Sequence, residues 1–262
     1  LLLTINIIDV NFLWLNFHYK EGEPVYKMVH EGTELLIVSI VLAMAILLFF
    51  FKGNLNFYRR NKWLKYGAYA WIIQNAILVS SVFIRDYYYI LRHGLAYKRI
   101  GVLFFLLMVL VGLITVFVKI VTKKTSYFLF RVNAWAAIVV LVLATTIHWD
   151  ELIAGYNLKR KSTVELDVPF LLTLSDKALP LLDTNIIAIQ KRQNDLQALS
   201  NNKASEYCDS CFIERLKQRE QLFVNEQKQL SWLSWNYSDA YTKKYFEKRG
   251  LIKLNIKLNT QY

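Results

Sequence analysis

Imidazole beside carboxylate is the side-chain set of zinc ligation and of acid–base catalysis. This chain places that set in two compact groups, His30-Glu31 with Glu34, and His148 with Asp150-Glu151. On a helix His30 and Glu34 share a face, as i and i+4 neighbours do. All four histidines (His18, His30, His93 and His148) fall in segments that the topology described below puts on one side of a membrane. The plainer account is that such segments simply hold amphipathic residues, and no zincin-type motif argues against it. These six residues are therefore catalytic candidates to which no metal is assigned, and no cofactor is expected.

A second set consists of polar residues inside apolar stretches: Asp9, Gln74, Asn75, Arg131 and Asn133. Buried ionisable groups in a bilayer cost several kcal/mol unless they pair or reach water, so they face a bundle interior. Hydrogen bonding between helices is the bland use of such residues, and an ion path is the functional one. The third feature is Cys208-Asp209-Ser210-Cys211. This spacing serves redox chemistry when it opens a helix in a thioredoxin-like fold, and no strand–helix–strand pattern surrounds it. A disulfide or two free thiols is the favoured reading over catalysis. No phosphate-binding glycine loop, nucleophile elbow or kinase signature occurs, and the 9 glycines are scattered singly.

The elements that must position these residues are membrane-spanning helices. Residues 100–118 carry no charge and no proline. At about 1.5 Å of rise per residue such a run matches the ~30 Å hydrocarbon core. Further spans are expected near 1–17, 35–51, 66–84 and 131–147. The chain begins inside an apolar run at Leu1, which we read as a fragment with more spans upstream. Up to residue 147 there are 15 Lys and Arg against 6 Asp and Glu, and from 148 onward 17 against 14. The basic excess thus sits mainly in loops flanking apolar spans, which points to membrane topology and not to nucleic acid. Residues 52–65 and 119–131 hold nine Lys and Arg, whereas 18–34 and 85–99 hold six with five acids. The positive-inside rule puts the first pair in the cytoplasm. With five alternating spans, residues 148–262 then lie outside, in a periplasm-like space.

From His148 the pattern becomes that of a soluble, mostly helical module. Asp167 before Val168-Pro169 reads as an N-cap with proline in the first turn. Ser175-Asp176 opens a second short helix, and Ile186, Ile189, Leu196 and Leu199 mark a third. Phe212, Leu216 and Phe223 form the stripe of a helix over 207–229. Ser238-Asp239 caps a fifth helix that Gly250 stops. Ile252, Leu254, Ile256 and Leu258 alternate with polar residues, as in a terminal strand. Trp149, Trp232 and Trp235 read as anchors or core.

Several blocks resemble a family of bacterial multi-pass inner-membrane proteins known only as a domain of unknown function. They are VHEGTELLIVSIVLA (29–43), NAILVSSVFIRDYYYILRHGLAYKRIGVL (75–103), RVNAWAAIVV (131–140), WDELIAGYNL (149–158), LDVPFLLTLSDKALPLL (166–182) and LSWNYS (233–238). The resemblance implies an inner-membrane helical bundle followed by a small helical tail, and it transfers no catalytic residues. The fold expected is therefore all-α: a polytopic transmembrane bundle over 1–147 and a helical module over 148–262.

The leading expectation for function is a non-catalytic envelope scaffold or accessory subunit whose outer tail binds a protein partner. The first alternative is a membrane-embedded enzyme acting on lipid or envelope glycan, with the histidine–acid groups converging at the outer face. The second alternative is a transporter.

Overall fold

The computed structural model describes residues 2–9, 11, 37–38, 41–42, 45–46, 49, 62–160, 166–199 and 209–250. Among the described residues every regular element is a helix, as the all-α reading requires. The chain divides into two compact units, Leu1–Arg92 with Ala96–Ile147, and His93–Leu95 with His148–Tyr262.

In the first unit α1 spans Leu2–Asp9, α2 Lys62–His93, α3 Tyr97–Thr122 and α4 Ser126–Thr146. Among the described residues, three helices, covering Lys65–His93, Tyr97–Thr122 and Ser126–Thr146, are long and apolar enough to cross a membrane. Of the two spans expected near 1–17 and 35–51, the described residues include α1 and residue 11 in the first and residues 37–38, 41–42, 45–46 and 49 in the second, and the rest of each lies outside them. On α3, Leu106, Val109, Leu113, Val116 and Ile120 are buried at alternating steps of three and four, the seam spacing of packed helices. They meet Ala68, Ile72, Leu78, Val79 and Val82 of α2 and Leu129 of α4 in one core. Only Leu129 of α4 is buried. Its outward Phe130, Trp135, Ile138 and Leu141 suit hydrocarbon, where apolar exposure carries no penalty.

Two expected loops prove to be mostly helix. Residues 85–99 belong to α2 and α3 except for Gly94, Leu95 and Ala96, and residues 119–131 except for Lys123, Lys124 and Thr125. Charge marks where hydrocarbon ends, but a helix has no reason to stop there. With 32 residues, α2 is about 48 Å long at ~1.5 Å per residue, well beyond a bilayer core. It ends where Gly94 takes φ +84°, a left-handed conformation that suits glycine. The end of α3 is closed by Lys123 at φ 51° and by the Lys124 N–H donating to the Lys119 carbonyl at 3.1 Å. This is the six-to-one bond of a Schellman motif, built without glycine.

The second unit contains α5 (Trp149–Lys159), α6 (Val168–Thr173), a 3-10 turn (Asp176–Ala178), α7 (Leu179–Thr184), α8 (Ile186–Leu199), α9 (Asp209–Gln229), a second 3-10 turn (Trp232–Ser234) and α10 (Tyr237–Lys248). Its core includes Ile153, Leu171, Leu174, Leu179, Leu182, Ile189, Phe212, Leu216, Phe223 and Phe246. The Asp167 carboxylate caps α6 by accepting from the Phe170 N–H at 2.9 Å, with proline in the first turn, as expected. The cap of α10 is Asn236 instead of Ser238. Its Oδ1 accepts from the Ser238 N–H at 2.9 Å, because a short amide reaches the backbone two residues on. The expected strand over 252–258 lies outside the described residues.

The turn between α2 and α3 also belongs to this second unit. Asn157 of α5 grips it from both sides, with Oδ1 accepting from the Leu95 N–H at 2.7 Å and Nδ2 donating to the Leu95 carbonyl at 2.9 Å.

Candidate functional site

His148 stands exposed just before α5, and its carbonyl accepts from the Leu152 N–H at 3.1 Å. Asp150 and Glu151 occupy the first turn of α5, where the helix dipole favours negative charge. Asp150 Oδ1 also accepts from the Ser175 N–H at 2.9 Å, so this acid ties α5 to the start of the first 3-10 turn. His30, Glu31 and Glu34 lie outside the described residues. Among the described residues, no three His, Cys, Asp or Glu side chains gather closely enough to hold a metal ion. Cys208 lies outside the described residues, and Cys211 is in the first turn of α9.

In the membrane unit Asn133 of α4 donates through Nδ2 to Thr115 Oγ1 of α3 at 3.0 Å and to the Leu129 carbonyl at 2.9 Å. The Thr115 hydroxyl passes its own proton to the Gly112 carbonyl at 2.8 Å. Asn6 of α1 donates to the Gln74 carbonyl at 2.9 Å, and Asn75 to the Trp71 carbonyl at 2.8 Å. The Oδ1 atoms of Asn6 and Asn75 and the Ser81 hydroxyl are buried with no hydrogen-bond partner among the described residues. Buried Lys119 donates through Nζ to Ser126 Oγ at 3.1 Å. Arg131 is exposed, and Asp9 closes α1.

Sequence reasoning missed Asp86, which it placed in an outer loop. The structure buries it to 6% exposure in α2, and its Oδ2 has no hydrogen bond among the described residues. Arg99 is the countercharge nearby, but its guanidinium lies over the Tyr89 ring, 4.3 Å from the centroid. The signal was present. Ala68, Ile72, Asn75, Val79, Val82 and Asp86 recur at steps of four and three, so the buried face of α2 runs straight on through Asp86.

Several of the module's buried and half-buried charges act as fasteners. Arg219 of α9 donates to the carbonyls of Leu172 (2.5 Å) and Leu174 (2.9 Å) and to the Asp176 carboxylate (2.6 Å). Buried Asp183 of α7 pairs with Arg249 and accepts from the Tyr245 hydroxyl at 2.8 Å. Arg192 of α8 donates to the carbonyls of Asn157 (3.5 Å) and Arg160 (3.3 Å), and burial pulls its pKa below the usual value. Glu220 is the exception. Burial raises its pKa against the opposing pull of Lys217, and its Oε1 has no partner among the described residues.

Where α9 turns into α10, Leu230, Leu233, Trp235, Tyr237 and Tyr241 are exposed. Beside them lies an open groove of about 290 Å³ whose lining includes Gln227, Trp235, Asp239, Lys243, Lys244 and Glu247.

The family model described as "Domain of unknown function (DUF4153)" matches residues 1–185. No curated protein and no solved structure matches the chain. The matched stretch takes in all three long apolar helices and the module as far as the end of α7. The chain is thus a membrane protein and belongs to the DUF4153 family.

Proposed function

We propose that the chain is a non-catalytic scaffold or accessory subunit of a bacterial inner membrane, whose module faces the periplasm and binds a protein partner. The observation that carries this reading is how the module spends its charge. Asp150, Asp176, Asp183, Arg192 and Arg219 all bond within the fold, as suits a rigid surface more than a reaction centre. Mass spectrometry of the full-length protein after mild detergent extraction tests it, with metal content read on the same sample. A stoichiometric protein partner is expected. A copurifying lipid-linked sugar, or one metal ion per chain, would favour the enzyme reading and make His148→Ala the next variant. Deleting residues 251–262 asks whether the C-terminal segment carries the contact, and unchanged binding would exclude it. A reporter fused after Tyr156 is expected to act in the periplasm, and activity in the cytoplasm overturns the orientation.

Asp86 favours a second reading, passage of ions or protons through the bundle. A buried acid on a long apolar helix, with one carboxylate oxygen unbonded among the described residues, is a functional-site candidate. Asp86→Asn in proteoliposomes would abolish ion flux if this is correct and leave it unchanged if Asp86 is structural.

A further inference from the structure

We infer that the α9–α10 tip is a lipid-contact surface, with Leu230, Leu233, Trp235, Tyr237 and Tyr241 resting in the headgroup zone of the bilayer that the chain itself spans. These side chains are all exposed. Leu233 is 76% exposed, Trp235 70% and Tyr237 69%, in a module whose core is filled by other residues. Trp and Tyr settle at membrane–water interfaces because one end of each ring system is apolar and the other hydrogen-bonds. Two leucines at the same tip add apolar reach.

The backbone is equally suited. A chain segment that gives up part of its water at an interface does so at lower cost where its polar groups are already paired. Here the Leu230 N–H donates to Glu226 (3.2 Å), Ser234 to Ser231 (3.0 Å), Ala240 to Asn236 (3.0 Å) and Ser238 to the Asn236 side chain (2.9 Å). Lys228, Lys243 and Lys244 flank the patch beside Glu226, Asp239 and Glu247, a rim balanced in charge, so the preference for an interface rests on the aromatic and apolar side chains.

The occupant is identified by attachment. Only Ile147 and His148 separate the end of α4 from the start of α5, so the module is held at a bilayer surface by its own chain. Tethering makes a weak interfacial preference an intramolecular one, at high effective concentration. A soluble protein would have to find this tip by diffusion, whereas the bilayer is joined to the module by the chain itself.

The test uses the full chain in vesicles of phosphatidylethanolamine and phosphatidylglycerol, with and without brominated acyl chains. Subtracting the emission of Trp235→Phe from that of the wild type isolates Trp235. Its emission is expected to be blue-shifted and to lose roughly half its intensity in the brominated vesicles. Leu233→Asp, at an exposed position that leaves the fold intact, should cancel most of that loss. Equal brightness in both vesicles, with full quenching by iodide on both faces, overturns the inference. So does protection of Trp235 from both quenchers, which would mark a protein seated over the tip.

Discussion

Replacing Asn157 with alanine removes the group that holds the turn between two membrane-spanning helices. The amide is buried, and both of its bonds go to the backbone of Leu95, at 2.7 and 2.9 Å. Each orphaned buried group costs about 1–3 kcal/mol, and the space left by the amide can admit water. A loss of roughly 2–4 kcal/mol follows, or about 30- to 700-fold at ~1.4 kcal/mol per tenfold. Hydrogen exchange of the full chain in nanodiscs reads this locally, as faster exchange of the Leu95 amide by that factor. Gly94→Ala attacks the same clasp from the other side. An added Cβ would overlap Asn157 Oδ1 and come within 2.6 Å of Arg160 Nη1. The left-handed backbone at Gly94 adds about 1–2 kcal/mol for a residue with a Cβ. Because Asn157→Ala removes one of the atoms struck, the double variant should be less damaged than the two single changes add up to. Exchange of Leu95 within about threefold of wild type in Asn157→Ala, the scale of a surface change, would refute the clasp.

Lys123→Gly relieves a left-handed lysine and should raise stability by about 1 kcal/mol in detergent unfolding; a loss would show that the lysine side chain matters more than its backbone. Asn133→Ala removes the α3–α4 hydrogen bond and should cost only about 0.5–1.5 kcal/mol, since polar contacts within membranes measure small; several kcal/mol would mean that Asn133 has a larger task. Glu220 titrates above its ordinary value in the fold, so the folded state holds its proton longer than the unfolded chain does. Its burial therefore lowers stability as pH rises from the unfolded pKa, about 4.3, through the raised folded one, and the penalty is complete above that. Glu220→Gln should flatten the fall in unfolding temperature across that window, and an unchanged pH profile would show that Glu220 reaches water in the native state.

What could be read from sequence was what neighbouring residues decide. The uncharged run of α3, the Asp167 cap with its proline and the stripe of Phe212, Leu216 and Phe223 are all set by residues close together in the chain. Helix ends at the membrane surface were misplaced because charge locates the edge of hydrocarbon, whereas backbone geometry at Gly94 and Lys123 ends the helices. Asp86 was assigned to solvent for the same reason, although its spacing continued the buried face. Asp150 drew attention as a possible acid, but its bond to Ser175 joins positions 25 residues apart, and no local pattern announces such a pairing. Asn157 was invisible as a site for the same reason, amplified by distance.

That distance has a consequence for how the protein is made. The partner of Leu95 lies 62 residues further along the chain. A ribosome delivers α2, the turn and α3 while Asn157 does not yet exist. At roughly 5–20 residues per second, the turn waits about 3–12 s with its backbone groups unclaimed. In that interval the chain must complete α3, reverse at Lys123 and thread α4 back across the bilayer. This hairpin is therefore finished only after the next crossing is done, and a chain cut short before residue 157 carries an open turn that no later event can close.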